Sequence, residues 1–137
     1  MRFDLHTHTI YSFDGIAPPE ELVFKAKEKG LSGLAITDHN TMAGVELAMF
    51  AGKKWGIQVI SGMEVETDIG DVLCLFIERE VRSRRWREVI EEVRSQGGVV
   101  IMPHPFRERP PWALECLPYF DGVEFFNGRS RDYRKRL

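Results

Sequence analysis

Very little in this 137-residue chain points to an extracellular, membrane or nucleic-acid setting. It has two cysteines, Cys74 and Cys116, far apart and in no Cys-x-x-Cys pattern, which excludes a disulfide framework and a zinc knuckle and reads as two reduced, buried thiols. No apolar run approaches the length of a membrane span, and the N-terminus lacks a basic-then-apolar signal, so the expected setting is cytoplasmic, with no membrane partner. The formal net charge is only −2, so no global field draws the chain toward polyanions. The exception is the tail, where Arg129, Arg131, Arg134, Lys135 and Arg136 face a single acid, Asp132. That cluster reads as the exposed side of a terminal helix, with a phosphate or nucleic-acid contact as the alternative. Internal repeats, low-complexity stretches and dividing linkers are absent, and the length suits one domain with a real hydrophobic core. A Gly-rich phosphate loop and a nucleophile elbow are missing too, so neither Ser12 nor Ser61 is placed as a nucleophile.

What the chain does have is an ordered alternation of apolar strands and helical segments. Met1–Leu5 reads as a strand ending at His6, with Phe3 and Leu5 alternating with Arg2 and Asp4. Pro18 and Pro19 start a helix that Gly30 stops. Residues 34–37 form a short strand. A helix capped by Asn40 or Thr41 then runs to about Lys54. A third strand spans Ile57–Val65, with Ser61-Gly62 interrupting it. A turn over residues 68–71 leads into a return strand, Val72–Ile77. Ser83 is expected to cap an amphipathic helix bearing Trp86, Val89, Ile90 and Val93. Val99–Met102 is an apolar strand that Pro103 terminates. Residues 107–118 read as a proline-rich loop with one helical turn, and residues 123–126 as a last strand before a basic terminal helix. This is an α/β pattern with about five main parallel strands plus a hairpin strand.

The polar residues fall at one edge of that sheet. His6, His8, Asp38, His39, Glu64, His104 and Asn127 all sit at or just past a strand's C-terminal end, the edge at which parallel sheets and barrels bind ligands. All four histidines of the chain are among them. His6 and His8, two apart on extended backbone, project to the same side. Imidazoles and carboxylates without thiolate suit zinc, manganese or iron better than calcium. Glu64 is a natural bridge between two ions, and a pair of ions can hold a hydroxide and stabilise both attacking and leaving oxygens, which fits phosphate-ester hydrolysis.

Five ordered motifs carry a resemblance. Asp4-Leu5-His6-Thr7-His8-Thr9, Tyr11-Ser12-x-Asp14-Gly15, Ile36-Thr37-Asp38-His39-Asn40-Thr41, Gly62-Met63-Glu64 and Pro103-His104-Pro105 together resemble the PHP (polymerase and histidinol phosphatase) superfamily. Asn127-Gly128-Arg129 resembles its late Asn-containing strand end. The resemblance implies a distorted (β/α)7 barrel holding two or three divalent ions (Mn, Zn or Fe) and hydrolysing phosphomonoesters or phosphodiesters. It implies that His6, His8 and Glu64 bind a first ion, Glu64 and His104 a second, and Asp14 and His39 a third. Asp71 stands where many relatives have a histidine. Asp38 is expected in the catalytic machinery as a partner orienting His39, and Arg129 as a contact to substrate phosphate.

The family closes its site with a late Asp-x-His motif, and no histidine follows His104 here. Residues 1–137 are therefore expected to be a PHP domain covering the N-terminal two-thirds of the usual barrel. Its open edges would favour a homo-oligomer or a covering partner. The expected activity is a metal-dependent phosphoesterase, a phosphatase or nuclease, using metal-activated hydroxide on a phosphorylated small molecule, a nucleotide or a nucleic acid. The alternative is a weakly active or non-catalytic metal-binding module. An amide hydrolase is disfavoured, because no lysine sits at a strand end to form a carbamate bridge. Specificity is expected to lie in loops, chiefly residues 107–118 and the C-terminal part of the barrel that this sequence lacks.

Overall fold

The computed structural model describes residues 1–125. Among them the elements run β1 (Phe3–Thr7), α1 (Pro19–Glu28), β2 (Gly33–Ile36), α2 (Val45–Trp55), β3 (Gln58–Thr67), β4 (Gly70–Leu75), α3 (Trp86–Ser95), β5 (Val99–Met102), a 3-10 segment (Pro111–Tyr119) and β6 (Gly122–Val123). The expected terminal helix, Asn127 and Arg129 lie outside the described residues.

The six strands form one sheet in the order of the chain. β1–β2, β2–β3 and β5–β6 pair parallel, whereas β3–β4 and β4–β5 pair antiparallel. β4 is thus a single reversed strand in an otherwise parallel set, the product of a hairpin at residues 68–70. Adjacent strands lie about 4.8 Å apart, so a flat six-stranded sheet would hold its edges more than 20 Å from each other. Here Nδ1 of His6, on β1, lies 2.6 Å from Oε2 of Glu124, just past β6. The sheet is therefore curled into a half-barrel whose edges meet through side chains.

Two cores back it. One packs α1 and α2 on β2, through Val23, Ala26, Leu34, Ile36, Val45, Ala48 and Ala51. The other packs α3 and the 3-10 segment on β3, β4 and β5, through Val65, Val72, Val89, Val93, Val100, Ala113 and both buried free cysteines. No helix among the described residues is long and apolar enough to cross a membrane.

Several local expectations change in the structure. β1 ends at Thr7, and its register against β2 shifts between Asp4 and Thr7. Leu5 is consequently exposed while His6 turns inward, as a bulge re-aims side chains. β3 is continuous through Ser61-Gly62. The glycine serves close approach there, since a Cβ at residue 62 would lie 2.6 Å from the Cys74 carbonyl oxygen.

α2 begins at Val45 and not at Thr41. Asn40 adopts a left-handed φ of 55° and ties β3 instead of capping a helix. Its N–H donates to the Glu64 carbonyl at 2.9 Å, and its Oδ1 accepts the Glu66 N–H at 3.1 Å. Ser83 does not cap α3 either: Asp68, from the β3–β4 turn, accepts the Trp86 N–H at 2.9 Å. In both cases a group distant in sequence displaced the local cap that residue type had suggested.

Candidate metal centre

The cluster is built at the C-terminal ends of β1, β2, β3 and β5. β1 is fixed to β2 by Thr7, whose N–H donates to Thr37 Oγ1 at 3.0 Å, while the Thr37 N–H donates to the Thr7 carbonyl at 2.9 Å. β2 is prolonged toward β3 by a parallel bridge between His39 and Glu64, in which the Glu64 N–H donates to the Asp38 carbonyl at 2.9 Å. Those bonds carry His6, His39 and Glu64 into register with one another.

Glu64 is the centre of the arrangement and is only 1% exposed. Its Oε1 lies 3.1 Å from His6 Nε2, 3.1 Å from His8 Nε2 and 3.4 Å from His39 Nε2. Its Oε2 lies 3.2 Å from His104 Nε2. The acids sit around that core. Asp14 Oδ2 is 3.3 Å from His39 Nε2, and its Oδ1 is 3.5 Å from His8 Nδ1. Asp71 Oδ2 is 3.5 Å from His104 Nε2. The seven residues expected to share a site are thus brought together, in overlapping groups His6/His8/Glu64, His8/Asp14/His39 and His39/Glu64/Asp71 whose ligand atoms lie within 4.8 Å of one another, with His104 against Glu64 and Asp71.

This donor set fits divalent metal. A tetrahedral ion with ligands at about 2.0–2.2 Å holds those ligands roughly 3.3–3.6 Å apart, close to the separations around Glu64. Protons alone serve the cluster less well, because three ring nitrogens converge on one oxygen. Burial would lower the His6 pKa, but bonds to Glu124 and Glu64 outweigh it and push the imidazole up to about 10. Burial would raise Glu64, yet the bonds from His104, His6 and His8 hold its carboxyl well below the usual carboxylate range. Asp71 is raised, by burial first and then by the Glu64 charge. A cation placed among these groups replaces protons as their counter-charge.

Asp38 departs from its expected role. It is fully buried, and its carboxylate accepts the Thr9 N–H and the Thr9 hydroxyl, both at 2.6 Å, instead of reaching the His39 ring. The His39 Nδ1 has no hydrogen-bond partner among the described residues. Asp38 therefore braces the turn that follows His8. Gly15 closes the same turn: a Cβ there would overlap the Thr9 carbonyl. Arg129 lies outside the described residues.

Three further residues hold the site, none of them among the expected site residues. The buried Ser12 hydroxyl donates to Asp14 Oδ1 at 2.7 Å and accepts the His39 N–H at 3.2 Å, linking two motifs. Arg109 donates to the carbonyls of Ile69, Asp71 and Pro103 at 2.6–2.7 Å, so one guanidinium pins the β3–β4 turn to the exit of β5. Glu124 contacts His6 and accepts the His104 N–H at 3.0 Å. His104 itself takes a left-handed φ of 29°, a strained conformation of the kind concentrated at functional sites. The adjacent Pro-His-Pro run was the only sequence signal for it.

Comparison with known proteins agrees with this geometry. The PHP domain profile matches residues 4–104. An uncharacterised protein of Methanocaldococcus jannaschii is 35% identical over 146 aligned positions, covering 96% of this chain and 85% of that protein. A 5'-3' exoribonuclease of Haemophilus influenzae is 43% identical over 67 residues, 49% of this chain but only 24% of that enzyme. In fold, the chain superposes over its whole length on 82% of a putative metal-dependent phosphoesterase from Bifidobacterium adolescentis, with a TM-score of 0.78 and 21% identity.

Proposed function

The chain belongs to the PHP domain family, and from that premise we propose that it is a metal-dependent phosphoesterase hydrolysing a phosphomonoester or a phosphodiester. The observation that carries the reading is the convergence of four imidazoles on the buried Glu64 carboxylate, at the edge of the sheet where ligands bind. His6, His8 and Glu64 would hold one ion, Glu64, His104 and Asp71 a second, and Asp14 and His39 a third. When bound, such ions supply Lewis-acid activation of water and screening of phosphoryl charge.

The protein's own groups supply position. Glu64, at the junction of all four rings, would be the ligand shared between ions held there. Asp38 and Ser12 hold the loop that presents His8 and Asp14, and Arg109 holds the turn that presents Asp71. The Phe13 ring stacks on His39 with centroids 4.7 Å apart and is 82% exposed, leaving its other face open beside the site. The substrate class is a phosphorylated small molecule, a nucleotide or a nucleic acid; the similarity to an exoribonuclease supports a phosphodiester. Arg129 stays a candidate for contacting substrate phosphate.

The test is turnover of an aryl phosphate monoester and a bis-aryl diester by the purified chain, with manganese, zinc or iron added. Metal-dependent release of phenolate that disappears in His8→Ala and Glu64→Ala is expected. Undiminished turnover in Glu64→Ala would overturn the ligand assignment. One observation favours a second reading, a metal-binding assembly module: α1 and α2 expose Phe24, Leu47 and Phe50 along a common groove, a surface suited to a partner or a second copy. Bound metal without turnover of either ester would select that reading.

A further inference from the structure

His6 differs from the other three rings of the cluster in what lies behind it. A neutral imidazole has one N–H and one lone pair, so a ring that ligates through Nε2 must carry its proton on Nδ1. The His39 and His104 Nδ1 atoms are buried with no hydrogen-bond partner among the described residues, and His8 Nδ1 faces the Ser12 hydroxyl at 3.3 Å with Asp14 Oδ1 farther off at 3.5 Å, beyond the close contact that His6 makes. Behind His6 stands a carboxylate, with Glu124 Oε2 2.6 Å from Nδ1, while Nε2 faces Glu64 at 3.1 Å. A carboxylate can only accept at that contact, so it requires a proton on Nδ1, and the only ring proton that a metal can replace is the one on Nε2, which faces Glu64. The other oxygen, Oε1, accepts the His104 N–H at 3.0 Å, at the residue whose φ is 29°. One side chain thus reaches both the ring of a β1 histidine and the backbone of the histidine after β5, across a seam that has no ladder among the described residues.

We propose that Glu124 is a positioning residue of the metal centre, keeping Nδ1 of His6 protonated so that Nε2 serves the metal, and holding His6 and His104 against the two different oxygens of Glu64. The role rests on the reading that His6 ligates metal, and it does not require that the chain hydrolyse phosphate esters.

Glu124→Gln tests it with almost no change of shape. The amide oxygen accepts from one donor only, so its NH2 must face either the His6 Nδ1–H or the His104 N–H. Two quantities are read: the site of the His6 ring proton, from two-bond nitrogen–proton NMR correlations of the zinc-loaded and metal-free protein, and the zinc dissociation constant, by chelator competition. In the wild type Nδ1 is expected to carry a proton in both forms, with Nε2 also protonated in the metal-free protein, where it faces Glu64. In Glu124→Gln the Nδ1-protonated population falls and zinc binds roughly 10–100-fold more weakly. Glu124→Asp, which keeps the carboxylate on a shorter stem, is expected to recover part of both. A purely structural tie across the seam would lower thermal stability but leave the His6 proton in place.

Zinc affinity within twofold of wild type in Glu124→Gln overturns the proposal, and so does a wild-type His6 without an Nδ1 proton. Should Glu124→Gln not fold, the wild-type spectra still decide. No zinc uptake by the wild type would sink both this role and the phosphoesterase reading, whereas normal uptake with an indifferent Glu124→Gln sinks this role alone.

Discussion

The two halves of the sheet contribute to the site in different ways. The half made of β1, α1, β2 and α2 brings His6, His8, Asp14 and His39 in short runs that follow strand ends, positioned by neighbours a few residues away or one strand over, His6 alone having a distant side chain, Glu124, behind it. Its helices are loosely covered: α1 and α2 bury Val23, Ala26, Ala48 and Ala51 but leave Phe24, Leu47, Met49 and Phe50 exposed. The half made of β4, α3, β5 and β6 brings Asp71, His104 and Glu124 on separate segments. It holds them by long-range ties from Arg109, Asp68 and Glu124 itself, and buries the whole apolar face of α3. Glu64, on β3, stands between the halves. Local sequence thus builds one side of the centre, and a tightly packed scaffold builds the other.

The sharpest way to break this comparison is to remove the residue both halves share. Glu64→Ala should lower metal affinity more than 100-fold, an order-of-magnitude expectation for losing a ligand common to two sites, and elemental analysis should find less than one ion per chain. Retention of two ions would mean that the halves bind metal independently.

Next in size is the packed core of the second half. Ile77 is fully buried, and Ile77→Ala should cost about 2–5 kcal/mol in urea unfolding. A loss under 1 kcal/mol would show that half to be no firmer than the other.

The third effect is of pH. His6 is raised from 6.5 to about 10 in the metal-free protein, so its contribution to stability is complete below 6.5 and fades as pH climbs toward 10. Glu64 is lowered from its ordinary 4.5, so its contribution is present above that value and is lost in acid. Metal-free protein should therefore be most stable between about pH 4.5 and 6.5. Zinc must displace the His6 proton, so zinc affinity should rise between pH 6 and 8, with proton release seen in calorimetry in buffers of different ionisation enthalpy. A pH-independent affinity would place metal away from His6. Smallest is Phe50→Ser on the exposed groove, expected within about 0.5 kcal/mol of wild type in the same urea assay. A marked loss would mean that the groove is covered in solution, and light scattering would identify a dimer.

Most of the strands and the ligand-bearing motifs were legible because their signals are local. Apolar runs bounded by Pro or Gly placed β2, β5 and α1 within a residue or two, and the hairpin strand was recognisable from Asp68-Ile69-Gly70. The starts of α2 and α3 were not, because Asn40 and Ser83 look like caps by residue type. The bonds that displaced them come from Glu64 and Glu66 in one case and from Asp68 in the other. Asp38 misled for the same reason: adjacency to His39 suggested a shared hydrogen bond, whereas the strand direction sends its carboxylate to Thr9.

By itself the sequence determined the family, the alternation that makes a mainly parallel sheet, and a histidine- and carboxylate-rich edge. Those depend on residue type and spacing along a few residues of backbone whose side-chain direction is set by its period. Only the tertiary structure decided that the sheet curls until β1 meets the end of β6, that Arg109 locks two turns together, and that Glu124 stands behind His6. Each depends on a contact between groups more than 30 residues apart. Its geometry is the sum of strand twist and core packing over the whole chain, and no short stretch contains that sum.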